Sequence, residues 1–248
     1  MKRALISVKQ LRMGHGETVL LQDASFDVAR GDIFIILGGS GCGKSTLLRH
    51  LVGLEPPMAG EIRVAGRAPR LAGAAPRYGV MFQSGALFGS MSVGENVAFA
   101  LQEWTHLPEE AVRAIVRAKL ALVGLEGAED KLPAELSGGM RKRAAIARAM
   151  AFEPNLIFLD EPSAGLDPVS AAELDELILA LNRNLGLTVV MVTHELDSIF
   201  KIGKTCIMLD RETRSIIARG EPQRLRHESD DPRVRQFFNR ETRAPQWQ

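Results

Sequence analysis

A glycine-rich segment that directly follows an apolar run restricts the fold more than any other feature of this sequence. The run IFIIL (residues 33–37) is typical of a buried strand, and GGSGCGKST (residues 38–46) comes next. Glycines let successive backbone N–H groups turn inward as a nest for an anion, and a helix beginning near Lys44 adds its positive end. The spacing matches the Walker A pattern, G-x-x-x-x-G-K-[ST], in which the lysine reaches the β- and γ-phosphates and the next hydroxyl binds Mg²⁺. The segment predicts a strand, a phosphate-binding loop and a helix, against the alternative of a glycine-rich turn that binds nothing. The predicted nucleotide-binding residues of this loop are Gly38, Gly39, Ser40, Gly41, Cys42, Gly43, Lys44, Ser45 and Thr46.

Composition narrows the class of protein. A chain of 248 residues, 46% hydrophobic and 25% charged, is an ordinary globular protein with room for a core and an inserted subdomain. The net charge of +1 gives no electrostatic reason to expect nucleic acid as the main partner. The two cysteines, Cys42 and Cys206, form no disulfide framework and suit a reducing compartment. We find no signal-peptide pattern and no run of about 18 apolar residues, so we expect a cytoplasmic protein without a membrane span.

Alternating strand and helix patterns indicate the architecture. The segments ALISVKQL, VLLQDASFDV, EIRVAG and RYGVMFQ are strand-like, and from about residue 84 the pattern becomes helical. Later, the apolar runs LIFLD and TVVMVTHE flank the amphipathic segment AAELDELILALNRNLG, which predicts parallel strands joined by a crossover helix. We predict one α/β domain over residues 1–248. Its predicted parts are a nucleotide-binding core (1–83 and 154–220), a helical subdomain (84–153) and a C-terminal tail (221–248).

Two adjacent acidic residues follow the strand-like run LIFL. Asp160 and Glu161 would be costly to leave unpaired at the edge of a core, and a Mg²⁺ site removes that cost. Asp160 is then predicted to hold the metal through water, and Glu161 to polarise the attacking water. The alternative is that the pair only caps the helix that follows.

The segment LSGGM (residues 136–140) predicts a second helix start suited to phosphate. Ser137 offers a hydroxyl group, and Gly138 and Gly139 offer closely approachable backbone N–H groups. Taken alone, such a segment is usually only a helix cap.

Together, six motifs in this order resemble the ATPase subunit of an ABC transporter. After the Walker A pattern come Gln83 behind a strand, LSGGM, LIFLDE, SAGLDP with Asp167, and VTHE with His194. The resemblance implies a P-loop NTPase (RecA-like) core with an ABC-type antiparallel β subdomain and an inserted α-helical subdomain. It also implies that two copies pack head to tail, each ATP lying between the Walker A loop of one chain and residues 137–139 of the other. A homodimer is therefore predicted.

The resemblance also implies a role for each site residue in phosphoryl transfer to water. Lys44 offsets negative charge, Glu161 is the general base or water-orienting group, and His194 contacts the γ-phosphate end. Gln83 lies near the metal and the attacking water, unless it is a buried glutamine satisfied by backbone. The predicted catalytic residues are Glu161, His194 and Gln83, the predicted Mg²⁺ ligands are Ser45, Gln83 and Asp160, and Ser137, Gly138, Gly139 and Asp167 complete the predicted ATP contacts.

Several positions depart from the pattern of that family. Met140 stands where most members have glutamine, and the aromatic residue that usually stacks on adenine is missing. His15 lies near the expected place and either stacks on the base or is a plain surface histidine, and affinity for the base is then expected to be weak or to rest on Val19. Cys42 is interpreted as a small filler rather than a redox switch. The basic run RKR (141–143) is interpreted as a solvated helix face rather than a site for anionic lipid or nucleic acid.

Three stretches narrow the resemblance to a subgroup. FQSGALF, LSGGMRKRAAIARAMA and DPRVRQFF resemble the Mla/Mce-type phospholipid transport ATPases of Gram-negative bacteria and their plastid relatives. This implies a location on the cytoplasmic face of the inner membrane, a permease partner there, an MCE lipid-binding protein and a STAS-domain subunit. The alternatives are a transporter ATPase for another cargo, such as amino acids, and a soluble ABC ATPase that acts on nucleic acid or ribosomes.

Apolar residues in two segments are predicted to make contacts beyond the nucleotide site. In residues 84–99, Leu87, Phe88 and Met91 suit docking of the permease, against the alternative that they fill the chain's own core. In the tail, Asp231 and Pro232 predict a helix start. Aromatic side chains there predict packing on the chain itself or across the dimer; they are Phe237, Phe238 and Trp247.

Overall fold

The computed structural model describes residues 4–69 and 78–240 of the chain. The chain divides into two compact units, a central unit made of residues 70–191 and a terminal unit made of residues 1–69 together with 192–248. The core, helical subdomain and tail boundaries proposed from the sequence stay predictions. Trp247 lies outside the described residues.

An antiparallel sheet of three strands forms the first part of the terminal unit. Its strands β1 (Ala4–His15), β2 (Thr18–Ala29) and β4 (Ala59–Val64) lie in the order β2-β1-β4, and β1 pairs with both neighbours in antiparallel register. Buried and exposed positions alternate along much of β2, as expected of a sheet with one covered face. The predicted antiparallel β subdomain is confirmed.

The strand that precedes the glycine-rich loop lies in the other sheet of the terminal unit. All six residues of β3 (Ile33–Gly38) are buried, and β3 pairs in parallel with β8 (Thr205–Asp210). Strand β9 (Ser215–Gly220) continues this sheet by antiparallel pairing with β8. Helix α1 (Lys44–Leu51) follows the loop, and α6 (Leu196–Ile202) precedes β8. The predicted order of strand, loop and helix is confirmed.

The central unit contains the strand that ends in the two acidic residues. Strand β5 (Gly79–Met81) pairs in parallel with β6 (Leu156–Asp160), and β7 (Thr188–Val192), all but its last residue in this unit, is the next strand beside β6. Helix α5 (Pro168–Leu185) connects β6 to β7. It ends at Gly186, whose φ of 64° is the left-handed conformation that favours glycine after a helix. The predicted crossover helix is confirmed.

Three further helices of the central unit separate β5 from β6. They are α2 (Val93–Trp104), α3 (Glu109–Leu122) and α4 (Gly138–Ala149), with one 3-10 turn (Pro133–Glu135) before α4. The prediction that helix begins near residue 84 is wrong, because the helical pattern begins only at Val93, with Ser92 and Glu95 forming a capping box. Within the described residues, none of the helices combines the length and apolarity that crossing a bilayer requires.

Two short helices end the described chain in the terminal unit. They are α7 (Pro222–Glu228) and α8 (Pro232–Asn239), and the Asp231 side chain caps α8 as its sequence predicts. Val234 and Phe238 are buried, and the Phe238 ring centroid lies 5.6 Å from that of Phe200 in α6. Packing of this part of the tail on its own chain is confirmed.

Truncation after Arg226 is expected to weaken dimerisation or assembly with the permease. It removes α8, and with it two buried apolar side chains and the ion pair between Arg233 and Asp210, whose N–O distance is 3.0 Å. Phe200 then loses its aromatic neighbour. Light scattering and recovery of the complex measure the effect, and truncation after Arg240, which keeps α8, is the matched control. Normal assembly and ATP hydrolysis by the shorter chain would mean that the tail has no such role.

Candidate active site

The glycine-rich loop between β3 and α1 has the chemistry of a phosphate cradle. Gly38, Gly41 and Gly43 have φ angles of 143°, 73° and 96°, which side chains rarely permit. The ammonium group of Lys44 folds back over the loop and donates to the carbonyl oxygens of Gly38 and Gly39, both at 2.9 Å. A Cβ on Gly39 would meet nothing within 4 Å, so the loop is open there. One cation, a helix start and an unobstructed glycine backbone fit an anion such as a nucleotide phosphate.

Cys42 fills space beneath this loop. Its side chain is buried, and its Sγ lies 2.6 Å from the place where a Cβ on Gly38 would stand. Burial raises the pKa of the Cys42 thiol, although the nearby Lys44 cation acts in the opposite direction. A buried thiol with a raised pKa forms little thiolate, so the interpretation of Cys42 as a small filler is confirmed.

The two residues predicted to contact a base also lie in the terminal unit. His15 is the last residue of β1, and its Nε2 lies 3.2 Å from Oγ1 of Thr46, the last residue of the Walker A pattern. Its Nδ1 lies 3.7 Å from a carboxylate oxygen of Glu55. Val19 is buried in β2. His15 is therefore beside the phosphate loop, and its stacking on a base stays a prediction.

Asp160 and Glu161 stand at the end of β6 in the central unit. Both are only 8% exposed, which is rare for carboxylates without compensating interactions. Glu161 has a φ of 49°, a left-handed conformation that costs a residue with a side chain about 1–3 kcal/mol and that is frequent at functional sites. The alternative role, capping the next helix, is wrong, because Asp167 caps α5 instead.

Asp167 is fixed at the start of α5. Its carboxylate accepts from the backbone N–H groups of Val169 and Ser170, both at 3.0 Å, and from the Ser170 hydroxyl at 2.6 Å. The hydrogen bond from the Ser170 hydroxyl, followed by that from the Ser170 N–H group, lowers the pKa of the Asp167 carboxyl. Any contact of Asp167 with a nucleotide stays a prediction.

The LSGGM segment forms a tight helix start. Ser137 caps α4, and its hydroxyl accepts from the backbone N–H of Met140 at 3.2 Å. A Cβ on Gly138 would lie 3.3 Å from a methyl group of Leu166. The helix start predicted from the sequence is confirmed, and its use for a phosphate stays a prediction.

Gln83 follows β5 and is exposed, so the alternative of a buried glutamine satisfied by backbone is wrong. Its backbone carbonyl accepts from the ammonium group of Lys142 in α4 at 2.6 Å. The same ammonium group donates to the backbone carbonyl of Glu161 at 3.4 Å. Within the central unit, Lys142 therefore brings together the backbone beside two predicted catalytic residues.

Lys142 also corrects the interpretation of the run RKR. Arg141 is exposed, but Lys142 is buried, so this run is not a solvated helix face throughout. Helical spacing contained a signal for this, because Lys142 shares a face with Ala145, Ile146 and Ala149. The prediction of a solvated face rested on the charges of the run alone.

His194 belongs to the terminal unit, and Thr193 separates it from the end of β7. Its side chain is mostly exposed, and its Nε2 lies 3.8 Å from a carboxylate oxygen of Glu195. Its contact with the γ-phosphate end of a nucleotide stays a prediction.

Comparison of the sequence with known proteins identifies its family. The family model described as "ABC transporter" matches residues 21–164. The chain is 41% identical to the "Intermembrane phospholipid transport system ATP-binding protein MlaF" of Haemophilus influenzae, over 99% of this chain and 94% of that protein. The MlaF protein of Escherichia coli (strain K12) is 42% identical over 95% of this chain and 88% of its own length. The "Probable ribonucleotide transport ATP-binding protein mkl" of Mycobacterium leprae is 42% identical over 94% of this chain, which spans 68% of that protein.

Solved structures give the same result for the fold. The structure of cbiO1 from Clostridium perfringens, part of the ABC transporter complex cbiONQ, matches with a TM-score of 0.81 and 29% identity, covering 92% of both chains. A dimeric, post-hydrolysis structure of the ATP-binding cassette MJ0796 with ADP and phosphate bound matches with a TM-score of 0.76 and 27% identity, covering 87% of this chain and 98% of that one. With the glycine-rich loop, the buried acidic pair and the LSGGM helix start, these matches show that the chain is an ATP-hydrolysing subunit of the ABC transporter family, with the α/β P-loop fold.

Proposed function

We propose that this chain powers the transport of phospholipid through a membrane permease. The observation that carries the proposal is the similarity to two MlaF proteins, which extends over at least 95% of this chain and at least 88% of each relative. The mkl protein, which is named for ribonucleotide transport, has a similar sequence identity of 42%, but this chain spans only 68% of its length. The lipid would contact the permease, whereas this chain would supply ATP-driven closure and opening.

Hydrolysis is proposed to rest on positioning and charge rather than on covalent chemistry. Lys44, whose ammonium group already lies over the phosphate loop, would offset charge on the phosphates. Glu161 would orient or deprotonate the attacking water, and its burial and left-handed backbone support a specialised role. His194 would contact the γ-phosphate end, and the exposed Gln83 side chain would lie near the water.

Mg²⁺ is proposed as the second cofactor. Ser45, Gln83 and Asp160 would contribute a hydroxyl, an amide and a carboxylate oxygen, and Mg²⁺ takes such oxygen ligands together with water and substrate phosphates. When bound, the ion would neutralise part of the phosphate charge. The buried carboxylate of Asp160 supports this assignment, since a nearby divalent cation compensates its burial.

A homodimer with two shared ATP sites is proposed as the active form. One chain carries both the Walker A loop and the capped helix start at residues 137–139, so a head-to-tail pair of copies would complete two equal sites. The dimeric structures of the similar cassette MJ0796 support this arrangement. Asp167 would contribute near the same sites, and His15 and Val19 would contact the base.

The permease is proposed to dock on residues 84–99. Phe88 is 46% exposed, its ring centroid lies 5.3 Å from that of the exposed Phe99, and Leu87 is half-buried. The buried Asn96 side chain holds the turn beneath them, accepting from the backbone N–H of Phe88 at 2.8 Å and donating to the carbonyl of Met91 at 3.2 Å. An exposed aromatic pair on a fixed turn suits contact with a partner protein better than a place in the core. The exposure of Phe88 contradicts the alternative that this side chain fills the chain's own core.

A peripheral position on the cytoplasmic face of the inner membrane follows from this docking proposal. An MCE lipid-binding protein and a STAS-domain subunit are proposed as further members of the complex, on the strength of the resemblance to Mla/Mce-type ATPases. No nucleic-acid partner is proposed.

Phe88→Asp is expected to leave ATP affinity intact and to reduce recovery of the permease and transport. A charge on this surface would have to be desolvated against an apolar partner, which costs free energy of binding. Copurification with the permease and ATP affinity are measured side by side. Leu185→Asp is the matched control, because Leu185 is 51% exposed in the same unit but lies at the end of α5. Unchanged permease recovery, or an equal loss of ATP binding, would contradict docking at Phe88.

Purification of the native complex through a tag on this chain tests the cargo. Mass spectrometry of the bound proteins and small molecules is expected to find an integral membrane permease and phospholipid. Enrichment of amino acids or ribonucleotides would identify another cargo and contradict the proposal. Recovery of ribosomes or nucleic acid without a permease would point to a non-transport ATPase.

A further inference from the structure

Two cationic side chains of helix α4, those of Lys142 and Arg148, reach backbone carbonyl groups that are distant in the sequence. Lys142 lies one turn inside the helix and Arg148 lies near its end. Their carbonyl partners belong to the segment after β5 and to the end of β6, which hold Gln83 and Glu161. The helix that begins at the LSGGM segment therefore contacts the backbone of both predicted catalytic positions.

The first contact is made by Lys142. Its side chain is 8% exposed, and its ammonium group donates to the Gln83 carbonyl at 2.6 Å and to the Glu161 carbonyl at 3.4 Å. Those two partners lie 59 and 19 residues away along the chain. One side chain therefore links two segments that are distant from it in the sequence. Because one ammonium group holds both carbonyls, it restricts rotation of the peptide groups that follow Gln83 and Glu161. The positions of those two side chains are restricted with them.

The second contact is made by Arg148. One guanidinium nitrogen donates to the Ala86 carbonyl at 2.5 Å, and another donates to the Gly85 carbonyl at 2.9 Å. Gly85 and Ala86 have φ angles of 74° and 48°, so the chain turns sharply there, and the alanine adopts a conformation that disfavours a side chain. The planar guanidinium fork matches two neighbouring carbonyls and holds this turn.

Removing a cation from water costs free energy unless other groups compensate for the lost hydration, and Lys142 is buried while Arg148 is half-buried. Burial lowers the pKa of the Lys142 ammonium group, and the negative charges of Glu161 and Asp160 act against that effect. Burial likewise lowers the pKa of Arg148. An apolar residue at position 142 would avoid the cost of burying a charge, but it would leave the Gln83 and Glu161 carbonyls without this donor.

We propose that Lys142, assisted by Arg148, is a positioning residue that fixes the backbone at Gln83 and Glu161 for ATP hydrolysis. The two cations together form a carbonyl clamp, defined by Lys142, Arg148 and the carbonyls they reach. Because Ser137 caps α4, contact of a nucleotide with that helix start would act through Lys142 on the backbone of Glu161. This inference rests on the proposed catalytic roles of Glu161 and Gln83.

Lys142→Met tests the carbonyl clamp, because methionine keeps most of the apolar stem and removes the donor. ATP turnover and ATP affinity are measured on the full-length chain at saturating Mg²⁺. We expect kcat to fall about tenfold to 100-fold, as when a reacting group is displaced slightly, with ATP affinity unchanged. Lys142→Arg, which restores a cation and its donors, is expected to recover most of the turnover.

Lys119→Met is the matched control. Lys119 is also 8% exposed and lies in the same unit, but its ammonium group donates to the Glu153 carboxylate at 2.8 Å. Its loss removes a cation of similar burial without touching the carbonyl clamp, so turnover should stay normal. Equal losses of turnover in the Lys119 and Lys142 variants would overturn the inference, as would normal turnover in Lys142→Met.

Two further variants keep the outcome decisive. If circular dichroism shows that Lys142→Met is unfolded, Lys142→Gln takes its place, since its side chain stays polar but lacks the charge and the reach that join both carbonyls; turnover equal to that of the unsubstituted chain would overturn the inference. Glu161→Gln is assayed in parallel. Normal hydrolysis by Glu161→Gln would overturn the proposed role of Glu161, whereas an inactive Glu161→Gln beside a fully active Lys142→Met would overturn only the carbonyl clamp.

Discussion

Glu161→Gln is expected to bind ATP normally and to hydrolyse it about 100-fold more slowly or worse, because the general base or water-orienting group is lost. Glutamine has nearly the same shape, so the phosphate loop in the terminal unit and the carboxylate of Asp160 are left intact. Without hydrolysis, the ATP-bound dimer should accumulate. The variant should therefore elute as a dimer when ATP and Mg²⁺ are present.

ATP turnover, nucleotide affinity and light scattering are measured on the purified chain and on its complex with the permease. Glu153→Gln is a matched control, since Glu153 is also a glutamate in the left-handed conformation, with a φ of 50°, but its side chain is exposed and its carboxylate contacts Lys119. It should hydrolyse ATP normally. Turnover near that of the unsubstituted complex in Glu161→Gln would remove Glu161 from the catalytic residues.

Mixing Lys44→Ala chains with Ser137→Arg chains is expected to restore hydrolysis that neither variant shows alone. If each ATP lies between Lys44 of one chain and Ser137 of the other, both lesions of a mixed dimer fall in the same site. The second site of that dimer then has an intact Lys44 and an intact Ser137. One intact site should turn over, so activity appears only in the mixture.

The control for this experiment uses a chain that carries both substitutions. Mixed with either single variant, it leaves no intact site in any dimer, so hydrolysis should stay at the level of the single variants. ATPase activity is measured after the chains exchange partners, and light scattering verifies that mixed dimers form. An inactive Lys44→Ala and Ser137→Arg mixture, with dimers present, would indicate that both motifs serve one ATP within one chain.

Features encoded by neighbouring residues were predictable from the sequence. The apolar run before Gly38, the cap at Ser137 and the helix start at Asp231 each depend on a few adjacent side chains, and the structure has a strand and two helix starts there. The acidic pair Asp160 and Glu161 was also predictable from adjacent residues, because two carboxylates directly follow an apolar strand-like run.

Features that depend on distant contacts were not predictable in the same way. The segment after Gln83 appeared helical, but Gly85 and Ala86 adopt left-handed conformations and their carbonyls bond to Arg148, 63 and 62 residues further along the chain. Lys142 was counted with its charged neighbours, whereas the positions on its own helix face indicate burial. Its partners lie just after the strands β5 and β6, and only the tertiary fold brings those segments to α4.

ATP-dependent transfer of phospholipid by the purified complex is the most direct test that this chain powers lipid movement. The complex recovered through this chain is placed in liposomes that contain a fluorescent phospholipid, and transfer to acceptor vesicles is followed with ATP and with ADP. Transfer that requires ATP, and that disappears when the complex carries Glu161→Gln, is the predicted result. Transfer that is the same with ADP, or that persists with the Glu161→Gln subunit, would contradict the proposed function.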